Sequence, residues 1–248
     1  MMKAFIKLTW TDLKLYSRNF IAIFFVLLFP VLMLFLYGNL NGGNRPSELL
    51  GGRGMVDFLI PGYIASIVVG TAAFMNLPID LATRRQEGVL RRMRVLPIRP
   101  AMVLASTVAV NLLISLVGCI FLIGFGRVAF NISLPVNPLP FLAGFIVISI
   151  ALFTLGFVLA SVFPTVTATR SASMLVFYPL IFLSGGTIPL QVFPENIRTI
   201  SNYLPLTYAV NLLNDLWFQQ GWNLTALAIL AGMTVAGMLI SFKMFRWE

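Results

Sequence analysis

Six long stretches nearly free of charge set what this chain can fold into: Asn19 to Leu40, Phe58 to Leu81, Ala101 to Gly126, Phe141 to Phe163, Ser171 to Ile188, and Leu224 to Phe242. At about 1.5 Å of helix per residue, each can cross about 30 Å of hydrocarbon, the fifth being the shortest. Hydrocarbon offers no water to backbone N–H and C=O groups, so segments of this kind are expected to be helices. Composition agrees. The chain is 59% hydrophobic and 10% charged, whereas soluble domains are about 45–50% apolar and about 25% charged. The apolar runs leave no room for an independent soluble domain. Residues 1–248 are therefore read as one transmembrane domain of the all-α integral membrane class, with six spanning helices.

The net charge of +9 does not point to nucleic acid once the charges are placed. Thirteen of the seventeen basic residues fall in segments expected inside and four outside, while the eight acids divide evenly. This is the positive-inside bias. It predicts residues 41–57, 127–140 and 189–223 outside, residues 82–100, 164–170 and 243–248 inside, and both termini cytoplasmic. The first stretch is too long for a signal-peptide core and lacks a small-residue cleavage site, so it is expected to be retained.

Several chemistries have no home here. Cys119 is the single cysteine and there is no histidine, which excludes an intrachain disulfide, imidazole acid-base work and histidine-ligated metals. No paired carboxylates suggest a lipid-modifying enzyme. No GxxxxGK[ST] phosphate loop occurs, so the chain does not hydrolyse ATP by that route. Among acids near the spans, Asp57 and Asp80 fall at the ends of the second stretch and Asp215 in the outer segment; Asn111, Thr107 and Ser149 within other spans are neutral. An ion-coupled secondary transporter, the alternative reading, usually needs a titratable group at mid-membrane. Asp80 is read as a solvated helix-end residue.

Three segments outside the spans carry pattern. Near the N-terminus Lys3, Lys7, Thr11, Lys14 and Arg18 recur at helical spacing and form one basic stripe. Phe5, Ile6, Leu8, Trp10, Leu13 and Leu15 would lie at the headgroup boundary of an interfacial amphipathic helix meeting membrane lipids. The plainer alternative is a disordered topogenic tail. The inner loop Ala82 to Pro100 holds six arginines and one acid. Its run from Arg84 to Pro97 is predicted to be a short helix with Val89, Leu90, Met93 and Leu96 on one face, and Arg84, Glu87, Arg91 and Arg94 on the other. Glu87 is spaced to pair with Arg91, and Gly88 would permit close backbone approach. A purely topogenic cluster and a docking helix for a cytoplasmic partner both fit this pattern.

The third segment, Leu183 to Gln220, reads FLSGGTIPLQVFPENIRTISNYLPLTYAVNLLNDLWFQQ with its preceding phenylalanine. It is too apolar for a wet loop, and Pro189, Pro194 and Pro205 divide it. A re-entrant helical hairpin over about residues 189–220, between spans five and six, and a merely interfacial helix pair are both consistent with it.

Taken in order, the basic N-terminal helix, the six spans, the loop RRQEGVLRRMRVLPIRP and the outer segment FLSGGTIPL...FP...IRTISNYLPLTYAVNLL resemble the membrane (permease) subunit of an ABC type 2 exporter. The resemblance covers nearly the whole chain. It implies a dimeric permease with a second copy or a related permease, served by separate ATP-binding cassette subunits that hold ATP and Mg; no cofactor is implied in this chain. It further implies that Glu87, Gly88, Leu90, Arg91, Arg92 and Pro97 belong to the element coupled to the ATPase. Gly185, Gly186, Pro189, Pro194, Pro205 and Tyr208 would belong to the outer re-entrant hairpin, and Lys3, Lys7, Lys14 and Arg18 to an interfacial gate helix. The implied activity is export of a hydrophobic drug, lipid or lipid-linked substrate across a cell membrane, with no enzymatic step in this chain.

Overall fold

The computed structural model describes residues 2–40, 42–47, 52–89 and 100–244. Among these, six helices are long and apolar enough to span a membrane: Phe20–Leu40, Met55–Gln86, Met102–Phe130, Pro138–Val162, Val166–Leu183 and Leu224–Met244. They answer the six expected spans one for one. An N-terminal helix, Met2–Tyr16, precedes them. The non-helical regular structure among the described residues is one two-residue antiparallel ladder, Pro46–Ser47 with Arg53–Gly54, in the loop between the first two spans.

The boundaries differ from expectation where polar residues have been recruited into helices. The second span starts at Met55, behind an extended Gly54, and runs past Leu81 to Gln86. Its final polar turn stays helical because neighbouring elements use its side chains. The third span continues beyond Gly126 to Phe130 and stops at Asn131, which takes a left-handed φ of 51°. The fifth begins at Val166, because the Thr165 hydroxyl accepts from the Ala168 N–H and caps the helix. Most of the loop expected over Pro164 to Arg170 is therefore helical.

Two spans share a local device. The first widens into a π-helical stretch at Phe24–Leu28 just before Pro30, and the second does so at Ala72–Asn76 just before Pro78. A proline inside a helix removes one N–H and crowds the carbonyl four residues back. Widening the preceding turn makes room for the ring without breaking the span.

The second span is the axle of the bundle. It packs against the first, third, fourth and fifth spans and against the helix Pro205–Trp217. Of its most apolar stretch 89% is buried, against 17% for the sixth span. Helices in lipid gain little from excluding hydrocarbon, so close backbone approach through small residues carries the association. Gly156 of the fourth span lies directly on the Ala73 carbonyl. A Cβ on Gly62 would come within 2.5 Å of the Gly186 carbonyl.

After Leu183 the chain turns at Gly185, forms a 3-10 turn at Leu190–Val192, then the helices Glu195–Ser201 and Pro205–Trp217. Pro189 and Pro194 precede the first two of these elements and Pro205 opens the third, where a missing N–H costs no hydrogen bond. Helix Pro205–Trp217 buries Leu206, Ala209, Val210, Leu213 and Trp217 at helical spacing. It packs on the Met55–Val69 half of the second span and on the fourth and sixth spans.

Candidate functional site

The densest polar cluster among the described residues sits where the second span ends, immediately before the arginine-rich segment. Arg84 is central. Its Nη1 lies 2.9 Å from Asp12 Oδ1 of the N-terminal helix, and its Nε donates to Asp80 Oδ2 at 2.8 Å, one turn earlier on its own helix. The second oxygen of Asp12 accepts from the Ser106 hydroxyl of the third span at 2.6 Å. Asp12 is 7% exposed, yet both of its oxygens have partners, as a buried carboxylate requires.

Arg85 points to another neighbour. Its guanidinium donates to the carbonyls of Ala160 and Phe163 at 2.9 and 2.6 Å, satisfying groups left open at the end of the fourth span. Gln86 accepts from the Val166 N–H, the first turn of the fifth span, at 3.2 Å. A second rung joins the N-terminal helix to the second span: Asn76 Nδ2 donates to the Tyr16 hydroxyl at 2.7 Å. Burial, and secondarily the Asp80 carboxylate, push the Tyr16 phenol well above its ordinary value, so the rung stays uncharged. The last turns of one helix thus hold the N-terminal helix and the fourth and fifth spans, and Asp12 in turn takes a hydrogen bond from the third.

Beyond Gln86 the helix closes. Glu87 N–H donates to Thr83 O and Gly88 N–H to Arg85 O, with Gly88 at a φ of +69°. This is the left-handed stop favoured by glycine. It corrects the expectation of one helix from Arg84 to Pro97: Arg84 and Arg85 belong to the second span, and the chain turns at Glu87-Gly88. No described residue lies within 4 Å of a Cβ placed on Gly88, and its positive φ is itself a reason for glycine there. Asp80 is also corrected. Its side chain is 42% exposed but ion-paired to Arg84, not simply solvated. Leu90, Arg91, Arg92 and Pro97 lie outside the described residues, as do Met93, Arg94, Leu96 and Arg99.

The other expected groups are found as follows. Lys3, Lys7, Lys14 and Arg18 are all exposed along one side of the N-terminal helix and the turn after it, with Ile6, Trp10 and Leu15 exposed beside them. Gly185 takes a φ of +80°, and Gly186 packs against Ser66 and Gly62 of the second span. Tyr208 donates its hydroxyl to Asn202 O at 2.5 Å, closing the turn between the two short helices. These residues gather at the Asp57 end of the second span, far along that helix from Arg84. Asp57 itself accepts from Asn44 Nδ2 and from both the N–H and hydroxyl of Ser133. Asp215 accepts from Asn223. No carboxylate is found midway along a described span, which leaves the ion-coupled alternative without its central group.

Sequence comparison decides the family. The profile described as ABC-2 type transporter matches residues 3–218. The chain belongs to the ABC-2 type transporter family. Among its relatives is a chain described as a transport permease, ycf38, of Cyanophora paradoxa, 27% identical over 212 residues, covering 83% of this chain and 71% of the relative. Another is named a "probable doxorubicin resistance ABC transporter permease protein", DrrC, of Mycobacterium tuberculosis, 25% identical over 197 residues, covering 79% and 70%. This ABC-2 permease is accordingly a multi-pass membrane protein and a transport component. The arrangement ties the last turns of the second span to the N-terminal helix and to the fourth and fifth spans, and through Asp12 to the third.

Sequence reasoning missed the partners in this cluster. Asp12 carried one available signal, being the lone acid in an otherwise basic helix. Ser106, Ala160 and Phe163 carried none, since a serine and two backbone carbonyls have no pattern to read.

Proposed function

We propose that this chain is the transmembrane subunit of an ATP-driven exporter, moving a hydrophobic drug, lipid or lipid-linked substrate out of the cytoplasm or inner leaflet. ATP and Mg are held by a separate ATP-binding cassette subunit, and the permease works as a dimer with a second copy or a related permease. It resides in the cell membrane with both termini cytoplasmic. The observation that carries this reading is the junction at Gly88. The second span ends in a glycine stop just after a turn whose side chains grip the N-terminal helix and the fourth and fifth spans, and the arginine-rich segment follows it in sequence. A force applied by an ATPase to residues 87–99 would enter the bundle at its most interconnected point. Glu87, Gly88, Leu90, Arg91, Arg92 and Pro97 are assigned to that coupling element.

The outer segment from Pro189 to Gln220 is read as a re-entrant hairpin over the outer mouth. Support comes from the helix Pro205–Trp217, whose buried stripe packs along the second span as far as Ile64–Val69, where irregular backbone survives only against protein. The name of the Mycobacterium relative favours an amphipathic aromatic drug as the first substrate to try.

The test is transport in everted vesicles containing the permease co-expressed with an ATP-binding cassette subunit that carries a GxxxxGK[ST] loop and co-purifies with it. ATP-dependent accumulation of doxorubicin or of a fluorescent phospholipid is expected, lost without the ATPase. Transport that follows an ion gradient and ignores ATP would overturn the proposal. Within that assay Glu87→Ala, Gly88→Leu and Arg91→Ala should lower export while membrane insertion persists, with Arg99→Ala as a charge-loss control; equal export by all four would remove the coupling assignment. Orientation is read by Arg91→Cys in a Cys119-free background, which should resist an impermeant thiol reagent added outside.

A further inference from the structure

We propose that Asp12 is a positioning residue for transport: the Asp12–Arg84 ion pair, backed by the Tyr16–Asn76 rung, makes the N-terminal helix follow the end of the second span. This rests on the exporter reading above and adds to it a route by which motion of the coupling segment reaches the lipid-facing helix.

Three observations carry it. The first is register. Asp12 and Tyr16 lie one turn apart on the N-terminal helix, while their partners Arg84 and Asn76 lie along one side of the second span, with Asp80 between them. The two helices are thereby cross-tied at two points, and a cross-tie at two points transmits rotation as well as displacement. The second is geometry at Arg84. Asp80 holds Nε, which leaves the Nη1 corner of the fork aimed at Asp12 and keeps the guanidinium from swinging away. The side chains of Arg84 and Asp12 are 14% and 8% exposed, so this pair is far less screened than a surface one.

The third is the hinge. The N-terminal helix ends at Tyr16, a turn follows at Ser17 and Arg18, and Asn19 starts a new helix by accepting from the Ala22 N–H. Its covalent link to the first span is therefore a bend. Besides packing on the third span, the N-terminal helix is held by the Asp12 carboxylate and by the Tyr16 hydroxyl, which accepts from Asn76 and donates to the Ala22 carbonyl of the first span at 3.5 Å. With its basic stripe and Trp10 exposed, it is the element that can shift against headgroups when Arg84 moves.

The experiment uses the full permease with its ATPase in vesicles, reading ATP hydrolysed and substrate exported from the same sample. Asp12→Asn keeps the side-chain shape and an oxygen for Ser106 but removes the charge. Export per ATP should fall about tenfold, while insertion and ATPase binding remain. The second variant is Asp12→Cys/Arg84→Cys in a Cys119→Ser background, joined by a short reducible thiol-to-thiol spacer. Export should be low unlinked, recover on linking and drop again with reductant. A merely structural role would change expression and leave export per ATP untouched. Undiminished export per ATP in Asp12→Asn, or linking that restores nothing, overturns the proposal. Wild-type vesicles with no ATP-driven export overturn the exporter reading instead, and the Asp12 role falls with it.

Discussion

The two ends of the second span are fastened by different chemistry to different kinds of neighbour. At the Asp57 end one carboxylate accepts from neutral donors, Asn44 and Ser133, both of which stand in loops. At the Arg84 end two arginines and a glutamine reach other helices: Arg84 to Asp12 of the N-terminal helix, which itself takes Ser106 of the third span, Arg85 to Ala160 and Phe163 at the end of the fourth, and Gln86 to Val166 of the fifth. At the first end helices pack on the span through apolar side chains, while its carboxylate is held by loops. A displacement at the second is passed on, because the receiving elements are rigid. The contrast gives the same helix an anchored end and a transmitting end.

Breaking the transmitting end should do the most damage. Arg84→Ala strands Asp12 in a buried position and leaves Asp80 without its partner. Loss of one member of a buried ion pair costs about 3–5 kcal/mol, so reversible unfolding in mixed micelles should show a loss of that order. Arg85→Gln comes next. The amide can reach one of the two carbonyls that the guanidinium now serves, at Ala160 or Phe163. A charged hydrogen bond contributes about 1.5–3 kcal/mol, and the same measurement should show a loss within that range. If Arg84→Ala is no worse than Arg85→Gln, the Asp12 pair is not the stronger of the two fastenings.

A smaller effect sharpens where the transmitting end stops. Gly88 holds a φ of +69°, and no described residue lies within 4 Å of a Cβ placed on it. An alanine there meets no neighbour, so the expected loss is the conformational one alone, about 1–2 kcal/mol. The same stability should fall with Gly88→Leu, since side-chain size within the chain is irrelevant. A much larger loss for leucine than for alanine in the isolated permease would show that the site is crowded and that the turn is not the reason for glycine.

The spans were legible because hydrocarbon imposes one requirement, an uninterrupted apolar helix, and sequence states it directly. Their ends were not. At the lipid–water boundary a charged side chain satisfies the topogenic rule whether it faces water or a neighbour, so Arg84 and Arg85 read as part of an exposed cluster. Only packing brings Asp12 to Arg84 across the intervening first span. The prolines carried a partial signal: Pro194 and Pro205 were read as dividing the outer segment, and helices begin at both divisions, while Pro30 and Pro78 offered no hint that the helix would widen and continue. Gly88 carries a left-handed backbone angle that the sequence did not reveal, since a need for positive φ and a need for no side chain are indistinguishable in sequence.

The anchored end supplies the smallest effect and the sharpest control. Asp57→Asn retains one oxygen, which can still accept from the Ser133 N–H, but its amide N–H2 meets the Asn44 amide nitrogen that now donates to the carboxylate. It also removes a negative charge from the first turn of the helix, where the dipole favours one. Ser133 is exposed and water can replace part of what is lost. Together these place the cost at about 0.5–1.5 kcal/mol. Because the partners are loops, export per ATP should stay at the wild-type value even as the unfolding midpoint moves. The decisive comparison is with Asp12→Asn at the other end, the same chemical change on a carboxylate that faces helices. If Asp57→Asn lowers export per ATP as much as Asp12→Asn does, the two ends are mechanically equivalent and the division into an anchored and a transmitting end is wrong.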